Sequence, residues 1–118
     1  MSRLGAPLTV PEIARLKAAM EALGERLRAQ EEESAASRAA VTLDQQSVGR
    51  LSRMDALQQQ AMAQAEQRRR GHDLARIEAA MGRIAAQDYG FCGECGEPIG
   101  VRRLTVDPMA TRCIACAD

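Results

Sequence analysis

Cys92-Gly93-Glu94-Cys95 and Cys113-Ile114-Ala115-Cys116 are the residues of this chain most able to do chemistry: they contain all four of its cysteines, as two C-x-x-C pairs separated by seventeen residues. Zinc takes four ligands at the corners of a tetrahedron, and thiolate sulfur at about 2.3 Å suits it well. One C-x-x-C turn presents two sulfurs from one side of an ion, and the second pair closes the site from the other. Four protein ligands leave no position for water, so one zinc held in this way is structural rather than catalytic. Gly93 and Gly96 suit a tight knuckle in which the backbone comes close to sulfur and adopts positive φ. Four thiolates around Zn²⁺ carry net negative charge, and Arg102, Arg103 and Arg112 are close enough in sequence to offset it. Three weaker alternatives stay open at this point. Two disulfides require an oxidising compartment, an iron–sulfur cluster uses the same ligand type, and a redox C-x-x-C is expected beside a βαβ pattern that is not readable here. No nucleophile–base arrangement is visible, so no catalytic residue is assigned and an enzyme is not expected.

The elements that must position these cysteines are helical. The chain has 118 residues, with Tyr89 and Phe91 its only aromatics, both beside the first pair. Its apolar content is Ala, Leu, Met, Ile and Val, a helix-forming mixture. A helix start is written at Thr9-Val10-Pro11-Glu12: Thr9 caps, Glu12 is the capping-box partner, and Pro11 is tolerated in the first turn. Ile13, Leu16, Met20, Leu23 and Leu27 then recur at gaps of three and four, the narrow seam of a coiled coil. Arg15, Lys17, Glu21, Glu25, Arg26 and Arg28 fall off that seam and face water. Beyond Glu31-Glu32-Glu33 the chain turns Ala- and Ser-rich and the seam fades.

A second helical stretch is expected from within 43–50 to about Ala86. Its first part offers Leu51, Met54, Leu57, Ala61, Met62 and Ala65, and its last part a seam at Leu74, Ile77, Met81 and Ile84. The polar run Glu66–Asp73 interrupts them, and Gly71 weakens the helix by about 1 kcal/mol relative to Ala, so a bend or seam shift is expected there. Thr42-Leu43-Asp44-Gln45 reads as a capping box, placing Asp44 in the first turn of this second helix. The predicted fold is mainly α: a long antiparallel helical hairpin, or coiled coil, followed by a small four-cysteine zinc finger. The expected divisions are an N-terminal segment over 1–10, the hairpin over 11–87 with its tip within 41–50, and the finger over 88–118. Any overhang of the last seam needs cover from Leu4, Leu8 and Val10, from the finger, or from another chain. The run Arg68-Arg69-Arg70 with His72 is expected to be a solvated helix face.

The stretch DYGFCGECGEPIGVRRLTVDPMATRCIACAD closely resembles the zinc-finger signature of the DksA/TraR family of bacterial transcription regulators. The matching features are Tyr89-Gly90 before the first pair, Gly96, Pro98-Ile99-Gly100, Arg102-Arg103-Leu104, Pro108 and the second pair at the family's spacing. The chain is similar to a shortened member, starting almost directly with the hairpin and ending two residues after the last cysteine. The resemblance implies a protein that binds bacterial RNA polymerase: the finger docks at the rim of the secondary channel, and the coiled coil reaches toward the catalytic magnesium. Acidic residues at the tip act there, often together with ppGpp. Better-studied members carry an Asp-x-x-Asp-x-Ala tip, whereas this chain has Asp44-Gln45-Gln46-Ser47-Val48-Gly49, with serine in place of the second aspartate. Counting back from the cysteines instead makes Asp55 the nearest acid. Asp44, Ser47 and Asp55 are therefore the candidate partner-binding residues of the tip.

Net charge and apolar runs limit the other classes. The formal net charge is zero, which does not favour a nonspecific grip on nucleic acid, and direct sequence-specific DNA binding is not expected. No apolar run approaches membrane-spanning length and no signal peptide is readable, so a cytoplasmic protein with reduced thiols is expected. The alternative reading is a zinc-ribbon module that binds another protein or a nucleic acid.

Overall fold

The computed structural model describes residues 6–44 and 50–117, with side chains described for these outside 37–52. They are mainly helical: α1 spans Val10–Asp44, α2 spans Arg50–Ala85 and α3 spans Val101–Val106. The described residues include no strand, only an isolated antiparallel bridge between Phe91 and Pro98. The long helices α1 and α2 form a hairpin, and the four cysteines gather beyond it. At 1.5 Å per residue each long helix rises about 50 Å.

The start of α1 is the capping box written in the sequence. The Thr9 amide donates to Glu12 Oε1 at 2.8 Å, and the Glu12 amide donates to Thr9 Oγ1 at 3.3 Å. These bonds use donors that a helix start otherwise leaves unpaired. The other end of α1 departs from expectation. Asp44 is its last residue and α2 begins at Arg50, so Asp44 does not open the second helix. The Ala- and Ser-rich stretch that carries no clear seam still continues α1, because alanine is the strongest helix former.

The end of α2 is closed by a reciprocal pair of bonds. The Asp88 amide donates to the Arg83 carbonyl at 2.8 Å and the Gln87 amide to the Ile84 carbonyl at 3.1 Å. This is a Schellman closure, and it requires a left-handed residue, here Gln87 at φ 60°. Helix α2 then stops, and the chain turns into the cysteine region.

The chain forms two compact units, Met1–Gly24 with Ala75–Asp118, and Glu25–Leu74. In the first, Leu16 and Met20 of α1, Ile77 and Ala80 of α2, and Tyr89, Ile99, Leu104, Met109 and Ala110 are buried. The expected seam thus supplies the helical side of this core, with Ile13, Met81 and Ile84 half-buried. Leu8 supplies cover, since a β-carbon on Gly90 would lie 2.9 Å from Leu8 Cδ1. Val10, by contrast, is 81% exposed, and Leu4 lies outside the described residues.

The second unit corrects two expectations. Leu27 is buried as expected, but Met54, Leu57 and Met62 are exposed and do not join a seam. Ala65 is half-buried as expected, and Ala56 and Ala63, with their small side chains, are half-buried as well. Helix α2 runs without interruption through Gly71, from Arg50 to Ala85. Arg68, Arg69 and His72 are exposed, but Arg70 is buried. Its Nε and Nη2 both donate to Glu31 Oε2, at 3.2 and 3.1 Å. A buried guanidinium needs such a partner, and Glu31, from the acidic run of α1, provides it.

Candidate metal centre

Two short knuckles bring the cysteines together. In the first, the Gly96 amide donates to the Cys92 carbonyl at 2.9 Å, and the Glu94 amide lies 3.4 Å from Cys92 Sγ as a donor. Gly96 has φ 76°, which a residue with a β-carbon adopts only at a cost. Gly93 does not have positive φ; its amide instead donates to the Thr111 carbonyl at 2.9 Å, which ties the first knuckle to the strand of chain entering the second. In the second knuckle the Cys116 and Ala117 amides donate to the Cys113 carbonyl at 3.1 and 2.9 Å. The Cys92 amide bonds Glu97 and the Ile99 amide bonds Gly90, both at 2.8 Å, framing the first pair around the Phe91–Pro98 bridge.

The sulfurs of Cys92, Cys95, Cys113 and Cys116 all lie within 4.8 Å of one another. Cys95 Sγ and Cys113 Sγ, one from each pair, are 3.7 Å apart. A tetrahedron of sulfurs around zinc at 2.3 Å has an edge of about 3.8 Å, so the donor set fits that ion in both number and spacing. All four are free thiols, and their convergence on one point is not needed by two separate disulfides. Cys92 and Cys113 are buried while Cys95 is exposed.

The sulfurs titrate against one another. Backbone amides of Cys113 and Cys95 donating to Cys92 hold its thiol down at about 6. Hydrogen bonds from its own thiol to the sulfurs of Cys113, Cys92 and Cys95 push Cys116 up to about 12. Cys95 is also raised. Crowded thiolates of this kind are relieved by a cation at their centre, which would draw all four to the ionised form.

Two of the three arginines are engaged beside the cysteines. Arg103 Nε donates to the Arg112 carbonyl at 2.8 Å, just before Cys113, and Arg112 pairs with Glu94 at 3.4 Å. Both contacts brace the two knuckles through backbone and carboxylate. Arg102 is exposed.

Around the knuckles, three contacts that sequence reasoning missed brace the cysteine region, two of them to the ends of α1 and α2. Tyr89 is buried, and its hydroxyl donates to the Pro108 carbonyl at 2.7 Å; burial pushes its pKa up to about 12. Arg76 Nη2 donates to both oxygens of Asp107, at 3.2 and 2.9 Å. Arg15 Nη2 donates to Thr105 Oγ1 at 3.4 Å. Asp107-Pro108 was readable as a turn signal, and the turn is made, with the Met109 amide donating to Asp107 Oδ1 at 3.3 Å. Its long-range partner carried no signal.

The candidate tip residues lie elsewhere. Asp44 ends α1, Asp55 is exposed on the early turns of α2, and Ser47 is outside the described residues.

Residues 87–118 match the family model described as the prokaryotic dksA/traR C4-type zinc finger. The RNA polymerase-binding transcription factor DksA of Haemophilus influenzae is 44% identical over 43 residues, covering 36% of this chain and 30% of that protein. The protein of the same name from Escherichia coli is 40% identical over 43 residues, 36% of this chain and 28% of its own length. The match to these curated relatives, which are named transcription factors and not enzymes, therefore spans under a third of their length. Among solved structures, transcription factor DksA2 from Pseudomonas aeruginosa superposes with a TM-score of 0.78 at 26% identity, over 90% of this chain and 80% of that one.

Proposed function

From the premise that this chain is a zinc-finger protein of the DksA/TraR family, we propose that it binds bacterial RNA polymerase and regulates transcription by placing its hairpin in the secondary channel. What most directly supports this is that a finger similar to those of named polymerase-binding factors follows a hairpin of the DksA2 type in one chain.

In this reading Cys92, Cys95, Cys113 and Cys116 hold one structural Zn²⁺ per chain. When bound, the ion neutralises the thiolates and cross-links the two knuckles. Arg103, Arg112 and Glu94 keep the knuckles in register around it. Tyr89 braces the finger internally through Pro108, while Arg76 with Asp107 and Arg15 with Thr105 hold it against the adjoining ends of α1 and α2. The finger is thus a base, and its task is to present the hairpin.

The action belongs to the far end. Asp44, Ser47 and Asp55 are the proposed contacts there, and the carboxylates of Asp44 and Asp55 carry the charge that the family's tip uses. Transcription by purified polymerase from a promoter with a short-lived open complex tests this, with and without ppGpp. The wild-type chain is expected to change transcript yield, and Asp44→Ala with Asp55→Ala to abolish the change while leaving binding intact. Full activity in the double variant would remove the tip from the mechanism.

A further inference from the structure

Val10, Ile13, Ala14 and Lys17 are spaced so that they share one face of the first turns of α1. With Ile84 from the last turn of α2 and Phe91 from just before the first knuckle, they line a groove of about 420 Å³. Every residue of its lining belongs to the same compact unit. The volume falls within the range of roughly 300–1,000 Å³ typical of small-molecule sites. Val10 is 81% exposed and Phe91 39% exposed, so large apolar side chains meet water on this face.

The charge of this lining has one sign. Lys17 is its only charged residue, and among the described residues its ammonium has no hydrogen bond or ion pair. Tyr89 lends only its ring, because its hydroxyl is committed to the Pro108 carbonyl. Gln87 adds one neutral amide, held there by the left-handed turn that ends α2. A surface that is aliphatic and aromatic apart from a lone ammonium complements a ligand with an apolar chain and a single negative head. A polyphosphate meets one cation where it needs several, and a cationic amphiphile is repelled.

We propose that this groove binds a small amphipathic monocarboxylate of the medium-chain fatty-acid class, with its chain against Val10, Ile13, Ile84 and Phe91 and its head on Lys17. The site uses none of the cysteines and does not depend on the polymerase reading. Burial of the chain supplies the affinity, and the ion pair sets the direction in which the ligand lies. Because the lining comes from α1, α2 and the segment before the first knuckle, the site exists only in the folded chain, and its ligand stabilises that fold by mass action.

Isothermal titration of the full zinc-loaded chain with sodium octanoate tests this, with 1-octanol and octylammonium as head-group controls. Saturable binding of one octanoate per chain is expected, with a rise in melting temperature, and both controls are expected to bind about tenfold more weakly or less. Lys17→Gln is expected to weaken octanoate binding about tenfold, whereas Lys17→Arg keeps most of it. Ala14→Phe, at an exposed helical position, fills the groove and is expected to abolish binding while zinc content and helical signal match wild type. Should that variant misfold, Ala14→Leu replaces it. No saturable binding of octanoate by the wild-type chain, or equal affinity for octanoate and octanol, would overturn the proposal. Wild-type affinity in both Lys17→Gln and the Ala14 variant would overturn it as well. Self-association that the Ala14 variant removes, in a chain indifferent to octanoate, would give the face to a second copy and overturn it too. Polymerase binding measured on the same samples reads the proposed function separately.

Discussion

Tyr89 concentrates much of what holds the finger in place. Its ring is buried, its hydroxyl bonds the Pro108 carbonyl, and its pKa stands at about 12 against an ordinary 10.0. A raised folded-state pKa means that the unfolded chain releases the proton first. The stabilisation is therefore complete below about pH 10 and is lost as pH rises from there through about 12, by on the order of 2 kcal/mol. Denaturant titrations of the zinc-loaded chain between pH 9 and 12 are expected to show this fall. Tyr89→Phe is expected to be less stable by about 1 kcal/mol at neutral pH, from the lost hydrogen bond, and to lack the alkaline fall. A wild-type and Phe variant with the same alkaline slope would show that Tyr89 is not the group responsible. The gathering of the four cysteines was legible at this scale because a C-x-x-C knuckle is a local device. The same holds for the Thr9–Glu12 capping box, whose partners are three residues apart. The Tyr89–Pro108 bond was not legible, because nothing in a sequence says which carbonyl a buried hydroxyl will find.

At the scale of elements, two positions show how helices and finger meet. Gly90 has φ 94° and lies against Leu8. Gly90→Ala is expected to cost about 2 kcal/mol, since a β-carbon is disfavoured at that φ and would press on Leu8; a melting temperature equal to wild type would show that Leu8 moves aside freely. The second position is Arg70, whose burial was hidden in a run that reads as solvated surface. Its partner Glu31 is 39 residues away, and Asp107 is 31 residues from Arg76. Such pairings depend on how helices lie against each other, which helical periodicity does not encode. Arg70→Ala is expected to destabilise the hairpin by about 1–2 kcal/mol, less than for a fully buried pair because Glu31 keeps 35% of its side chain exposed. Combining it with Glu31→Ala is expected to recover part of the loss; additive losses in a double-mutant cycle would mean the pair contributes nothing. The same limit on periodicity explains Met54, Leu57 and Met62, which sit at helical spacing yet face water while smaller alanines take the half-buried positions.

For the molecule as a whole, most helix lies outside the cysteine region. α1 and α2 hold 35 and 36 residues against 6 in α3. Metal binding at a cysteine centre supplies folding free energy to the segment around it. Cys113→Ser, at a fully buried ligand, is expected to abolish zinc retention and unfold the finger while most of the far-ultraviolet helical signal survives. One zinc per chain in that variant would refute the four-cysteine centre, and loss of all helicity would mean that hairpin and finger fold only together. The described residues contain no helix long and apolar enough to cross a membrane. The finger serves in this scheme as a metal-stiffened base and the hairpin as the part that acts, so both must be intact for function. The most direct test is equilibrium binding of the zinc-loaded chain to purified core RNA polymerase, with a chelator-treated sample in parallel. Saturable binding at one chain per polymerase, lost on removal of the metal, is the expected result. A folded, zinc-loaded chain with no affinity for the polymerase would contradict the proposed function.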